Sequence, residues 1–94
     1  MAKKKVIDIE VHALFRTLER GSEFGLDYYD TKDRAFSTVR SGKFANRKHL
    51  SRRYNTYYRY FGDNVSFYVV CKVTEFDDCT QFLIKTIIIE KGRE

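Results

Sequence analysis

Ninety-four residues, 43% hydrophobic and including fifteen Phe or Tyr, suffice for one small core and are too apolar for a disordered tail. With no proline and only five glycines there is no candidate linker, so a single domain over 1–94 is expected. A net charge of +5 and a pI of 9.3 favour polyanionic partners such as nucleic acid or anionic lipid.

Lys3, Lys4 and Lys5 resemble the start of a signal peptide, but Asp8, Glu10 and His12 interrupt the apolar run that must follow. No stretch approaches the ~18 apolar residues of a membrane span. Cys71 and Cys79 form no C-x-x-C pair and are expected to be reduced thiols, Cys71 as a small buried hydrophobe. The expected compartment is the cytoplasm.

Ile7, Val11, Leu14, Phe15 and Leu18 follow the spacing of one helical face, which predicts a first helix over Asp8 to Arg20. Asp8 is its expected N-cap and Gly21 its C-terminal stop. Gly21 to Asp30 reads as a loop. Asp30 or Thr31 then caps a second helix with Ala35, Phe36 and Val39 inward and Gly42 past its end. Beyond Gly42 the period changes. Asn55 to Phe61 is dense in Tyr and Phe and predicts a strand, and Gly62-Asp63-Asn64 a turn. In the next strand, Val65 to Val73, odd-numbered residues point one way and Ser66, Tyr68, Val70 and Lys72 the other. After a turn at Thr74 to Thr80, Gln81 to Lys91 alternates Phe82, Ile84, Thr86, Ile88 with Leu83, Lys85, Ile87, Ile89. Both faces are largely apolar, which predicts a central strand. The expectation is an α+β fold, two N-terminal helices packed on a three- to four-stranded antiparallel sheet.

From Arg34 to Gly62 there is no Asp or Glu, while Arg34, Arg40, Lys43, Arg47, Lys48, Arg52, Arg53 and Arg59 carry positive charge, with His49 among them. The other 65 residues hold all thirteen acids and ten of the eighteen bases, a net of −3. The surplus is therefore local, as for a binding face. Arg and Lys neutralise phosphates, and the interleaved Tyr54, Tyr57, Tyr58, Tyr60, Phe36, Phe44 and Phe61 include flat surfaces on which unpaired bases stack. Six of the eight bases are Arg, which suits bidentate phosphate contact. The competing reading makes the bases a solvated face and the aromatics core, and Phe36, Tyr57 and Phe61 fit it. Tyr58 and Tyr60 lie on the strand face opposite Tyr57. A membrane surface is disfavoured, because the basic run lacks an amphipathic helix with a wide apolar face.

No H-E-x-x-H, Cys/His cluster, phosphate-binding loop or dinucleotide fingerprint occurs, so neither metal nor cofactor is expected. What remains is acid–base chemistry. His12, Arg16 and Arg20 recur one helical turn apart and form a polar ridge. A histidine beside guanidinium groups has the parts to drive a ribose 2′-hydroxyl onto its own phosphodiester. The alternative for His12 is a surface histidine at the core edge.

His12-Ala13 with Arg16, then Glu19-Arg20-Gly21, resembles the H-A-x-x-R-x-x-E-R-G opening of small families grouped with the RelE-like cytotoxic ribonucleases (the barnase, colicin and RelE superfamily). The similarity continues through Val39-Arg40-x-Gly42, an aromatic hairpin, and Ile84-Lys85-Thr86-Ile87-Ile88, and so spans most of the chain. It implies metal-independent RNA cleavage on a curved antiparallel sheet. His12 would act as acid or base, Arg16 and Arg40 would hold phosphate, and Thr86 would help position the scissile group. Arg20, Lys43, Arg47, Lys48, Arg52, Arg53, Tyr58, Arg59 and Tyr60 are the expected RNA contacts. The expected partners are RNA, free or on the ribosome, and an acidic antitoxin protein. Two rival readings stand beside this one: a non-catalytic nucleic-acid-binding module, and a protein–protein module of a toxin–antitoxin or immunity pair.

Overall fold

The computed structural model describes residues 3–45 and 54–93. Strand β1 (Lys4–Ile9) leads into helices α1 (Val11–Glu23) and α2 (Tyr28–Ser41), followed by β2 (Lys43–Ala45), β3 (Asn55–Phe61), β4 (Val65–Glu75) and β5 (Cys79–Lys91). The strands form one sheet in the order β1-β5-β4-β3-β2. Every neighbouring pair is antiparallel except β1 with β5, which run parallel. The fold is α+β as expected, but among the described residues the sheet has five strands, is mixed, and begins before the first helix.

β1 is the largest departure from the sequence reading. Val6, Ile7 and Ile9 are β-branched, stiff at χ1 and suited to a strand. Ile7 and Ile9 point toward the core while Val6 and Asp8 are exposed. Ile7 satisfies two patterns at once, period two with Ile9 and a helical turn with Val11. Pairing of Ile7 with Phe82 and Ile9 with Ile84 settles the choice. Asp8 therefore lies in a strand, and Glu10 is the N-cap of α1 without making a side-chain cap bond.

α1 does not bury the stripe that its spacing implied. Val11 and Phe15 are 70% and 61% exposed, and the buried row is Ala13, Thr17 and Gly21. Small residues bring this helix close to α2. At Gly21 an added Cβ would lie 2.2 Å from the Thr31 hydroxyl, so Gly21 is a contact inside the helix and not its stop. The chain turns instead at Gly25, whose φ of 76° is left-handed and costs glycine little. Asp27, rather than Asp30 or Thr31, caps α2, accepting the Asp30 N–H at 2.8 Å. A cap of this kind is worth ~1 kcal/mol. The buried hydroxyls of Thr17, Thr31 and Thr38 donate to carbonyls one turn back, those of Ala13, Asp27 and Arg34, at 2.6, 2.7 and 2.7 Å. These bonds let polar side chains sit in the helix interface without a desolvation penalty.

Ala35 and Val39 of α2 pack on Val65, Phe67, Val69 and Cys71 of β4 and on Phe82, Ile84, Ile87 and Ile89 of β5. Phe36, Tyr57 and Phe61 pack at the margin of this core, as their phase predicted. Burial pushes the Cys71 thiol up to about 12, as expected of an inert buried cysteine. On the other face of β4, Ser66, Tyr68 and Val70 are also buried, so this strand is covered on both sides.

β5 is interior, as its apolar pattern implied, but its alternation breaks. Val70 pairs with Thr86 and Cys71 with Ile84, which leaves Lys85 as an extra residue in a β-bulge. The core face therefore passes from Phe82 and Ile84 to Ile87 and Ile89, and Thr86 turns away from it. β1 covers only Cys79–Ile84, and α1 follows the remaining edge. The Glu10 N–H donates to the Ile84 carbonyl at 3.2 Å, and the Arg20 guanidinium to the Ile87 carbonyl. Among the described residues, no helix is long and apolar enough to cross a membrane.

Gly21→Ala is expected to destabilise the fold by about 1–3 kcal/mol in urea unfolding, because overpacking against Thr31 outweighs the gain in helix propensity. The double variant with Thr31→Ala is expected to recover part of that loss. A Gly21→Ala protein as stable as the parent would rule out this close helix contact.

Candidate functional site

The ridge on α1 meets β5 at the bulge. His12, Arg16 and Arg20 line, with Lys85, Thr86 and Ile87, a pocket of about 160 Å³. His12, Arg16 and Thr86, expected to be catalytic, are thus brought together from opposite ends of the chain. The bulge makes this possible. Without the extra residue Thr86 would share the core face of Ile84, whereas here it is exposed at the pocket wall. Arg40 is not brought there. It lies exposed in the last turn of α2, a helix packed on β3 and β4, where its carbonyl accepts a hydrogen bond from Lys5 Nζ at 3.1 Å.

The residue that sequence reasoning missed is Lys85. Its ammonium donates to Glu10 Oε1 and lies 5.7 Å from the centre of the Tyr54 ring. Glu10 Oε2 is 4.0 Å from His12 Nε2, so one carboxylate touches both. The hydrogen bond from Lys85 holds the Glu10 carboxyl below its ordinary range, and the same bond pushes the Lys85 ammonium up. The available signal was a lysine inside the apolar run Leu83-Ile84-Lys85-Thr86-Ile87-Ile88. A charge there must leave the core, and a bulge is the usual device for re-aiming it.

Arg16, Arg20 and Lys85 surround a space well below the ~300 Å³ at which ordinary small-molecule pockets begin. It suits a phosphate group better than a whole nucleoside. Arg20 spends part of its donor set on the Ile87 carbonyl and so braces the wall while retaining other N–H groups. His12 stands at the mouth with its side chain 78% exposed. Among the described residues, no group of three or more His, Cys, Asp or Glu side chains converges.

The basic and aromatic stretch divides in three dimensions. Arg34 pairs with Asp63 through two bonds of 2.9 and 2.6 Å and lies over the Phe61 ring, closing the β3–β4 turn onto α2. Its bond holds the Asp63 carboxyl below the usual range. Arg59, expected to touch RNA, alternates onto the helix-covered face with Tyr57 and Phe61, where it donates to the hydroxyls of Ser37 and Ser41. Tyr58 and Tyr60 take the opposite face, as predicted. Tyr58 is half-buried against Tyr68, its hydroxyl 3.2 Å from that of Ser66. Lys43 pairs with Tyr58 across β2 and β3 and is exposed. Arg47, Lys48, His49, Arg52 and Arg53 lie outside the described residues.

Because the Glu10 carboxyl has a lowered pKa, its ion pair with Lys85 is complete above the ordinary carboxylate range and is lost as pH falls through that lowered value. An entering phosphate must displace the same carboxylate. Glu10→Gln is therefore expected to tighten binding of a single-stranded oligoribonucleotide several-fold at pH 7, read by fluorescence anisotropy. The gain should vanish in a Lys85→Gln background. Unchanged affinity in Glu10→Gln would separate this carboxylate from anion binding.

Comparison with known proteins finds no matching family model, curated protein or solved structure.

Proposed function

We propose that the protein binds RNA and cleaves it without a metal ion, as a RelE-like endoribonuclease of the toxin class. The observation that carries this reading is the convergence of His12, Arg16, Arg20, Lys85 and Thr86 on one phosphate-sized pocket. In this reading His12 takes the proton of a ribose 2′-hydroxyl as its oxygen attacks the adjacent phosphorus. The bond to the 5′ oxygen breaks, leaving a 2′,3′-cyclic phosphate and a 5′-hydroxyl that regains a proton from the Lys85 ammonium or from water. Arg16 and Lys85 offset the charge that builds on the phosphorane oxygens, and the Thr86 hydroxyl orients one of them. Arg40 has no part in the step. RNA, free or on the ribosome, and a small acidic antitoxin are the partners that accompany such an activity in the cytoplasm.

A non-catalytic RNA-binding module is the second reading, favoured by the 78% exposure of the His12 side chain, which leaves the proposed base in water. One assay separates the two. Purified protein is incubated with RNA in EDTA, with oligonucleotide affinity measured in parallel. The nuclease reading expects His12→Ala to lose ~10²–10⁴-fold in cleavage rate with affinity retained, and Arg16→Ala to lose both rate and affinity. Intact RNA in every tube with tight, salt-sensitive binding selects the module. No binding at all removes both.

A further inference from the structure

We infer a second ligand site at the opposite margin of the sheet, a cleft that holds one nucleotide with an unstacked base. It extends the RNA-binding reading above but involves none of the residues assigned to cleavage. Among the described residues β2 pairs with Thr56–Tyr58, and β3 has no neighbouring strand on that side from Arg59 onward. The notch left between the end of α2 and β3 has a volume of about 420 Å³ and is lined by Ser41, Lys43, Tyr58, Arg59, Tyr60 and Arg93. That volume falls within the range of small-molecule sites, unlike the phosphate-sized pocket on α1.

The backbone shapes this notch at both ends. At Gly42 an added Cβ would come within 2.7 Å of the Tyr58 carbonyl, so the chain passes from helix to strand this closely only without a side chain. At the other end Gly92 adopts a φ of 88°, with its N–H donating to the Asn64 carbonyl at 2.8 Å and its carbonyl accepting from the Ser66 hydroxyl. That turn brings the Arg93 guanidinium over the Tyr60 ring, 5.0 Å from its centre.

Among the described residues, three cations and no carboxylate line the cleft. Arg59 is held by Ser37 and Ser41, whereas Lys43 and Arg93 have no ion-pair partner among the described residues. Their charges are available to a phosphate. The Arg93 guanidinium plane on Tyr60 offers the flat, sequence-tolerant surface on which a nucleobase stacks. A cleft that is at once cationic and aromatic matches a nucleotide better than a bare anion or an apolar molecule. A free mononucleotide and one unit of an RNA strand share this chemistry.

The test is titration of the isotope-labelled full chain, followed by amide NMR, with AMP, ribose 5-phosphate, inorganic phosphate and a single-stranded tetraribonucleotide. AMP and the tetranucleotide are expected to shift Ser41, Lys43, Tyr58, Tyr60 and Arg93 saturably, with ribose 5-phosphate about tenfold weaker. Arg93→Gln, an exposed change that spares the core, is expected to weaken AMP by a similar factor, and His12→Ala to leave it unchanged. Tighter binding of the tetranucleotide than of AMP identifies a strand subsite, and equal binding a free-nucleotide site. Equal shifts with phosphate and AMP, or shifts confined to His12, Arg16 and Thr86, would overturn the inference. A wild-type protein that fails to cleave RNA leaves this titration fully readable, so the two readings fail separately.

Discussion

The geometry of this protein depends on a mismatch of strand lengths. β5 has thirteen residues and its parallel neighbour β1 has six, ending opposite Ile84. The remainder of β5 would present a bare row of backbone donors and acceptors, a liability in any sheet. α1 begins where β1 ends and takes over that edge, anchored by the Glu10 N–H on Ile84 and by Arg20 on Ile87. Because the helix lies along the strand edge, its small-residue row faces inward and its basic ridge stands beside Thr86. The bulge at Lys85 occurs at the same handover, where the ladder no longer holds β5 from that side. Edge protection and site construction are one arrangement.

Charge follows the same logic of competing partners. Arg34 and Arg59 belong by sequence to an uninterrupted basic surplus, yet each is spent inside the protein, on Asp63 and on two serines. Lys43 and Arg93, far apart in the chain, are left at the mouth of one cleft. At the other margin, Glu10 forgoes the cap of its own helix to hold Lys85 and to approach His12. Of the basic run, the described residues thus supply two internal braces, Arg34 and Arg59, and one exposed cation at the cleft, Lys43. The centre of the sheet face between the two margins is filled by Tyr68 and Val70, which are buried and offer no stacking platform.

Much of this was legible residue by residue. Alternation puts Val65, Phe67, Val69 and Cys71 on one strand face, and they form the core with Ala35 and Val39, because period two and period 3.6 are local properties. The β3–β4 turn, the opposite phases of Tyr57 and Tyr58, and the helical row of His12, Arg16 and Arg20 follow from the same local rule. The Val11 and Phe15 stripe misled for an equally physical reason. Spacing identifies a face but not which face is buried, and close packing of Gly21 on Thr31 turned the small residues inward.

By itself, then, the sequence determined the α+β class, the positions of most elements, and where positive charge and aromatic rings are concentrated, because those depend on near neighbours in the chain. Tertiary structure alone decided that Lys4–Ile9 is a strand, that Lys85 bulges, and that Thr86 faces outward. It also decided which arginines are already paired. Each of these rests on partners more than twenty residues away, Ile9 against Ile84, Glu10 against Lys85 and Arg34 against Asp63. Such pairings are won by comparing whole packings, and no local pattern carries that comparison.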